Sequence, residues 1–436
     1  MLQILILIQT FPGGLVIIVP ETKTRMVTLA ATRQKRIHSD KFTDMFNCHC
    51  NKRNGRPHML LPTSLFWIGI HMPNPSYAKG SEYVDFLTCL KNQILLHPSI
   101  LPRDAVKLCY QASFGAEHLL RDVNESQRYF DAEFSTASEK GTALVEQISS
   151  DFCRVNLAAW KKNGLPREWL FEMFRMTAGR RCSLNSGAEF LNCIRAIEAL
   201  AMLGEMPFSH DDWHAFLSGY SMESPSPVHH SPAYREKERP SYRVVSISIS
   251  ELVPLLVRMS EISKNSETTV IGIDGRAAAG KTTLASMLAD LTGAGIVHMD
   301  DFFLPGSLRT EERLSQPGGN IHYERFLADA AHNLPSSKEF GYQAFDCRKM
   351  RMGEEKKVKE SRWRIVEGSY SCHPALNDYM HLRVFCDIKP ENQLQRIIKR
   401  NGNEMAAVFK ERWIPLEELY FNTFLISEKA DIVFVC

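Results

Sequence analysis

From Glu82 onward the chain places apolar residues at a helical period. Val84, Leu87, Leu90 and Ile94 share one helical face, and DAVKLCYQASFGAEHLLR (104–121) repeats apolar positions every three or four residues. Leu191, Ile194, Ile197 and Ala201 mark a buried stripe in LNCIRAIEALAMLG (191–204). Ser209 and Asp212 predict an N-cap with an acidic third position, opening a helix through Trp213 and Phe216. Strand patterns are scarce, so 81–220 is expected to be an α-helical domain. Past residue 244 the pattern changes. Short apolar runs appear at TTVIGIDG (268–275), GIVHMDDFFLP (295–305), WRIVEGSYS (363–371), HLRVFCDI (381–388) and ADIVFVC (430–436). Helical stretches such as FKERWIPLEELYFNTF separate them. Such alternation predicts an α/β fold, a doubly wound parallel sheet with right-handed crossovers, preceded by the helical domain.

Between the two regions lies SMESPSPVHHSPAYREKERPSYR (221–243), with four prolines and a charge cluster, which reads as a linker. Pro-x-Tyr-Arg occurs in it twice, at 232–235 and 240–243, which the composition alone accounts for. The apolar start, LQILILIQTFPGGLVIIV, is interrupted by Gln9, Thr10, Pro12, Gly13 and Gly14, and no basic residue precedes it. It fits neither a spanning helix nor a secretory signal, and a hairpin turning at Pro12–Gly14 is the local alternative. Residues 1–80 are expected to be a poorly ordered segment.

Composition narrows the function. Lys+Arg total 52 and Asp+Glu total 50, a net charge of +2, which excludes a chain whose work is set by bulk charge. No basic stripe with interleaved aromatics marks a nucleic-acid surface. Eleven cysteines without framework spacing read as free thiols of a reducing cytoplasm. Cys48 and Cys50 have no second Cys/His pair at zinc spacing. Glu117–His118 and the pair His210/His214 are the candidate chemistry of the helical domain. The pair is four apart on one helical face, a spacing that metal ligands use, but the sequence places no third ligand, and a solvated or capping role is the default.

The informative string is Gly275-Arg276-Ala277-Ala278-Ala279-Gly280-Lys281-Thr282-Thr283, set between a predicted strand and a predicted helix. G-x-x-x-x-G-K-T in that setting is a phosphate-binding loop. The glycines let successive N–H groups turn inward on phosphates, and the helix start adds its positive end. Lys281 reaches the β- and γ-phosphates of ATP, and the Thr282 hydroxyl ligates Mg²⁺. The next strand ends in Asp300 and Asp301, at the sheet edge where ligands of such folds bind. One carboxylate there can take a proton from an acceptor hydroxyl, and the other can serve the metal. Glu367, at the end of a third strand, is the expected metal-side partner of Thr282. Arg396, Lys399 and Arg400 sit on a later helix, where arginines near such a loop neutralise charge on the moving phosphoryl group.

IDGRAAAGKTT, HMDDFFLP, RLSQPGGNIHYERF (313–326), IVEGSY and RIIKRNG together resemble the uridine kinase, phosphoribulokinase and pantothenate kinase group of P-loop small-molecule kinases. The resemblance covers residues 268–436, and 244–436 is expected to be the kinase domain. It implies Asp300 as general base, Glu367 as the Mg²⁺-associated glutamate, and Arg396 and Arg400 as lid arginines. The acceptor would meet the segment carrying Arg309, Arg313, Asn320, His322 and Tyr323. Uridine kinases carry an acidic residue shortly after the matching asparagine, where this chain has Ile321 and His322. The expected reaction is ATP-dependent phosphorylation of a primary hydroxyl on a nucleoside-like small molecule in the cytoplasm. No nucleic-acid or membrane partner is expected, and a homo-oligomer is compatible with the reading. The alternative is a nucleotide-gated interaction protein in which ATP binding switches contacts of the helical domain.

Overall fold

The computed structural model describes residues 80–436 except 117–119, 121, 138–142, 180–184, 348, 377 and 436. The expectations for residues 1–79, for Cys48 and Cys50, and for Glu117–His118 lie outside the described residues.

The amino-terminal part begins with helices α1 (Gly80–Leu96), α2 (Pro102–Phe114) and α3 (Val123–Thr136). Strands β1 (Val145–Gln147) and β2 (Phe152–Asn156) follow. Next come α4 (Leu157–Lys162), α5 (Arg167–Ala178), α6 (Ser186–Met202) and α7 (His210–Leu217). The region is thus mainly helical, as its periodicity predicts, but it holds strands the pattern did not announce. β1 and β2 pair antiparallel, and β2 pairs antiparallel with β3 (Tyr242–Ser246). Strands of three and five residues are too short for a period of two to register, and β3 lies some ninety positions beyond its partner.

That pairing corrects the linker expectation for 221–243. The segment is built into the fold. Ser231 caps helix α8 (Pro232–Glu238), whose first residue is proline, a position where the missing N–H costs nothing. Asp104 accepts from the Ser231 N–H at 2.9 Å and the Ser231 hydroxyl at 2.6 Å, and lies 2.9 Å from His230 Nδ1. Tyr234 is fully buried. Arg243 pairs with Glu133 at 2.7 Å and lies over the Phe130 ring at 5.0 Å. The repeated Pro-x-Tyr-Arg therefore supplies packing residues. The expected boundary at 243/244 falls inside β3.

Helices α9 (Ile247–Ser250) and α10 (Val253–Ile262) lead into the α/β part. Its strands are β4 (Thr269–Gly275), β5 (Gly295–His298), β8 (Trp363–Glu367), β9 (Leu382–Asp387) and β10 (Ile432–Val435). They form one parallel sheet in the order β10-β9-β4-β8-β5, with β4 at the centre and every one of its residues buried. β6 (Phe340–Asp346) and β7 (Arg351–Val358) make a separate antiparallel hairpin. The helices are α11 (Lys281–Thr292), α12 (Glu311–Ser315), α13 (Tyr323–Asp329), α14 (Pro390–Val408) and α15 (Ile414–Phe424).

Residue parity sorts the sheet's two faces, because alternate strand side chains point opposite ways. Ile271, Ile273, Trp363, Ile365, Leu382 and Val384 join one core, while Val270, Val366 and Phe385 join another. The first core also contains Trp169, Leu170 and Phe171 of α5 and runs without a break into the amino-terminal helices. The Trp169 and Trp363 rings lie 5.4 Å apart. The described residues thus form one compact unit, with the amino-terminal part covering one face of the sheet. No described helix is long and apolar enough to cross a membrane.

Candidate active site

The site lies where β4 ends. Asp274, the last residue before the loop, is fully buried and accepts four hydrogen bonds. They come from the N–H groups of Gly275 (2.7 Å), Tyr370 (3.1 Å) and Cys372 (2.9 Å) and the Tyr420 hydroxyl (2.7 Å). Burial pushes its carboxyl above the ordinary range, and those bonds pull it back. Asp274 thereby locks the loop start to the turn after β8. Gly275 must be glycine. Its φ is 136°, and a Cβ there would lie 2.1 Å from the Cys386 carbonyl oxygen. Ala278 and Gly280 also have positive φ, 60° and 90°, which turns the loop back on itself before α11 starts at Lys281.

Lys281 folds its ammonium over the loop and donates to the carbonyls of Gly275 (2.7 Å) and Arg276 (2.9 Å). Thr282 and Thr283 are exposed at the helix start. The Thr282 hydroxyl donates to Glu367 Oε2 at 3.1 Å, and the other oxygen of that carboxylate is 2.5 Å from His298 Nδ1. Thr282 and Glu367 offer oxygen donors whose separation is close to the edge of a Mg²⁺ octahedron with bonds of about 2.0–2.1 Å. The pair fits the ion. Asp300 lies beside them. A Cβ on Gly368 would approach its Oδ1 to 3.3 Å. Its side chain is open to solvent, but it stands on a crowded floor. Desolvation raises its carboxyl above the usual range, Glu367 and Asp301 add to that, and Lys281 and His298 oppose it.

Asp301 does not join the metal pair. Its carboxylate is held by Lys356 at 2.8 Å and by the Tyr342 hydroxyl at 2.8 Å, both from the β6–β7 hairpin. The cause is the tight turn at Met299–Phe302, which sends adjacent side chains to different partners. The arginines divide too. Arg396 reaches the Ala278 carbonyl at 3.3 Å. Arg400, one helical turn beyond Arg396, instead bonds Asn401 at 2.7 Å and lies over the Phe409 ring at 6.0 Å. Arg276 also turns outward, to Asp387 at 2.6 Å and to Glu418, so it offers the loop its backbone only.

The expected acceptor residues sit on the segment that runs along Phe302–Leu304, just past Asp300, where the His322 N–H donates to the Phe302 carbonyl at 2.7 Å. Arg313 bonds the carbonyls of Gly319 (3.1 Å) and Ile321 (3.0 Å) and lies over Tyr323. Tyr323 donates to the Gly318 carbonyl at 3.0 Å. His322 caps α13 through its Nδ1. Asn320 is buried, with its carbonyl taken by the Leu304 N–H at 3.0 Å. These four brace the loop, and the sequence could not separate bracing from contact.

Sequence reasoning missed two residues of the loop's far side. Glu417 of α15 is buried, accepts from the Ala277 N–H at 2.9 Å and from the Ser369 hydroxyl at 2.9 Å, and has its carboxyl raised by desolvation. Gln393 of α14 donates to the Ala277 carbonyl at 3.1 Å. Neither stands in a motif, and Glu417 is 140 positions from its partner.

The site thus brings together a glycine-rich loop at the start of α11, a threonine–glutamate oxygen pair and, at Asp300, a carboxylate with no hydrogen bond or ion pair among the described residues. The chain is similar to "Uridine kinase-like protein 3" of Arabidopsis thaliana, 25% identical over 203 residues. The carboxy-terminal part resembles the uridine kinase-like P-loop proteins. The match spans 40% of this chain and 41% of that protein, less than half of either. Two solved structures are similar at lower identity. A possible uridine kinase from Bacillus stearothermophilus is 20% identical, with 43% of this chain and 100% of that chain covered and a TM-score of 0.32. A putative fructose transport system kinase from Silicibacter sp. TM1040 is 19% identical, with 39% and 94% covered and a TM-score of 0.34. No protein-family model matches the chain.

Proposed function

We propose that this protein transfers the γ-phosphoryl group of ATP to a primary hydroxyl of a small molecule, a nucleoside or nucleoside-like riboside, in the cytoplasm. The observation that carries the reading is the placement of Asp300 beside the Thr282–Glu367 pair at the mouth of the loop. A loop that only bound nucleotide would not require a carboxylate positioned for an acceptor.

In this mechanism the N–H groups of the first turn of α11, at Lys281, Thr282 and Thr283, meet the phosphates, and the Lys281 ammonium leaves the Gly275 and Arg276 carbonyls to join them. Thr282 and Glu367 would hold Mg²⁺, which would supply positive charge to the phosphates when bound. Asp300 accepts the proton of the acceptor hydroxyl as its oxygen attacks phosphorus, and its raised pKa makes it a stronger base than an ordinary carboxylate. Arg396, already at the loop, stabilises the charge on the moving group.

The test is ADP release from ATP·Mg²⁺ with uridine, cytidine, nicotinamide riboside, pantothenate or ribulose 5-phosphate as acceptor, using Lys281→Ala as the blank. The expected outcome is acceptor-dependent ADP release with a riboside and none in the blank. ATP binding without turnover on any of these acceptors would shift the reading to an acceptor outside the panel or to the nucleotide-gated interaction protein, which a partner pull-down with and without ATP separates. The core shared between α5 and the sheet behind the loop would carry that signal.

A further inference from the structure

The pair His210/His214 gains a third member from the fold. α7 packs against α6, and Glu198 of α6 comes to the same point in space. His210 Nε2 and His214 Nε2 are 3.0 Å apart. Glu198 Oε1 lies 3.4 Å from His214 Nε2 and 3.9 Å from His210 Nε2. We propose that Glu198, His210 and His214 bind one divalent ion of the zinc class and so tie α7 to α6.

Three arguments carry the assignment. The first is geometric. Tetrahedral zinc with bonds of about 2.0–2.2 Å to imidazole nitrogen and carboxylate oxygen sets its donors about 3.3–3.5 Å apart, and the three separations straddle that value.

The second is a proton count. A neutral imidazole carries one N–H, so His214 Nε2 either donates to Glu198 or accepts from His210, never both. If it donates to Glu198, the two ring nitrogens face each other at 3.0 Å with no hydrogen bond between them. A cation at the centre satisfies all three atoms at once.

The third is preorganisation. The Ser209–Asp212 capping box fixes the start of α7, and Trp213 between the two histidines is fully buried and stacked 5.9 Å from Phe208. The helix therefore cannot turn its histidines away without exposing a tryptophan. Two imidazoles with one carboxylate suit zinc and its neighbours, whereas Mg²⁺ and Ca²⁺ take oxygen donors. His214 is half exposed, which leaves the fourth position open to water.

The test uses the full chain, stripped of metal and then saturated with Mg²⁺·ADP so that Glu367 and His298 are shielded. Co²⁺ is titrated while visible absorption is followed, and Zn²⁺ is titrated by calorimetry. The expected result is one equivalent, tetrahedral Co²⁺ bands, and a higher melting temperature with Zn²⁺. His214→Ala and Glu198→Gln should each weaken Zn²⁺ binding by at least about tenfold and remove the bands, as expected when part of a coordination sphere is lost. His229→Ala, an exposed histidine outside the cluster, should change neither. All three positions changed are on the surface or half-buried, so the variants fold, which circular dichroism checks. Unaltered binding in His214→Ala, no Co²⁺ bands in the wild type, or binding that disappears once Mg²⁺·ADP is present would each overturn the proposal.

Discussion

At the scale of single residues, Asp300 is the position on which the proposed chemistry turns. Among the described residues no hydrogen bond or ion pair holds its carboxylate, while Asp301 next to it is bound by Lys356 and Tyr342. Asp300→Asn keeps the shape and removes the base. We expect kcat to fall by about 10²- to 10⁴-fold, the usual contribution of a positioned base, with ATP affinity retained. In the wild type, the acid limb of kcat/KM should lie above about 3.9, the ordinary aspartate value, because desolvation raises Asp300. Near-normal turnover in the variant would remove Asp300 from the mechanism. Much of this site was legible beforehand. Loop, lysine, threonine and the strand-end carboxylates Asp300 and Glu367 stand in contiguous strings whose chemistry dictates their order. Glu417, Gln393 and His298 were not legible, because their roles come from contacts between distant segments and no local pattern encodes them. Neither was the division between Asp300 and Asp301, which depends on a tight turn.

At the scale of elements, the junction of β4 with its loop is the part least tolerant of change. β4 pairs with β8 on one side and β9 on the other, and Gly275 faces Cys386 at the close of the second pairing. Gly275→Ala would place a methyl group 2.1 Å from the Cys386 carbonyl oxygen and hold alanine at φ 136°. Backbone strain alone costs about 1–3 kcal/mol, and β9 would also have to part from β4. We expect a lower melting temperature together with loss of nucleotide binding. Denaturation and ATP-analogue titration of the same preparation check it, and an unchanged affinity would show that the loop does not need this close approach. The five parallel strands could be read from the sequence because each carries a short apolar run, fully buried in β4 and β8 and partly buried in the edge strands β5 and β10. β1, β2 and β3 could not. They are short, and β2 has a buried arginine, Arg154, at its centre. That arginine is accommodated by Gln93 (2.8 Å) and Gln111 (2.8 Å) and by the Tyr242 ring at 4.5 Å, partners from three other elements.

At the scale of the whole molecule, the supposed linker is built into the amino-terminal part, which shares one core with the sheet. Its most pH-sensitive residue is His230, buried between Asp104 and the Tyr242 hydroxyl, 2.7 Å from its Nε2. Burial lowers the His230 pKa to about 4 from the ordinary 6.5, against the opposing pull of Asp104. Between those values the unfolded chain binds more protons than the folded one, so stability rises with pH across that window. This contribution is complete above pH 6.5 and is lost as pH falls toward 4. A shift of that size corresponds to at most about 3 kcal/mol. Asp104 acts lower down. Burial would raise its pKa, but bonds from His230 and Ser231 more than offset this, so its stabilisation is lost only below the ordinary aspartate range. Urea denaturation of the wild type and His230→Gln at a series of pH values from 4 to 7 separates the two groups. The wild type should lose stability steadily below pH 6.5, and the variant should show a flatter profile there. Because Trp169 and Trp363 lie in the same core, far-ultraviolet circular dichroism and tryptophan fluorescence should report one coincident transition at each pH. Two separated transitions would mean that the helices and the sheet unfold independently, and that what happens at His230 does not reach the phosphate loop.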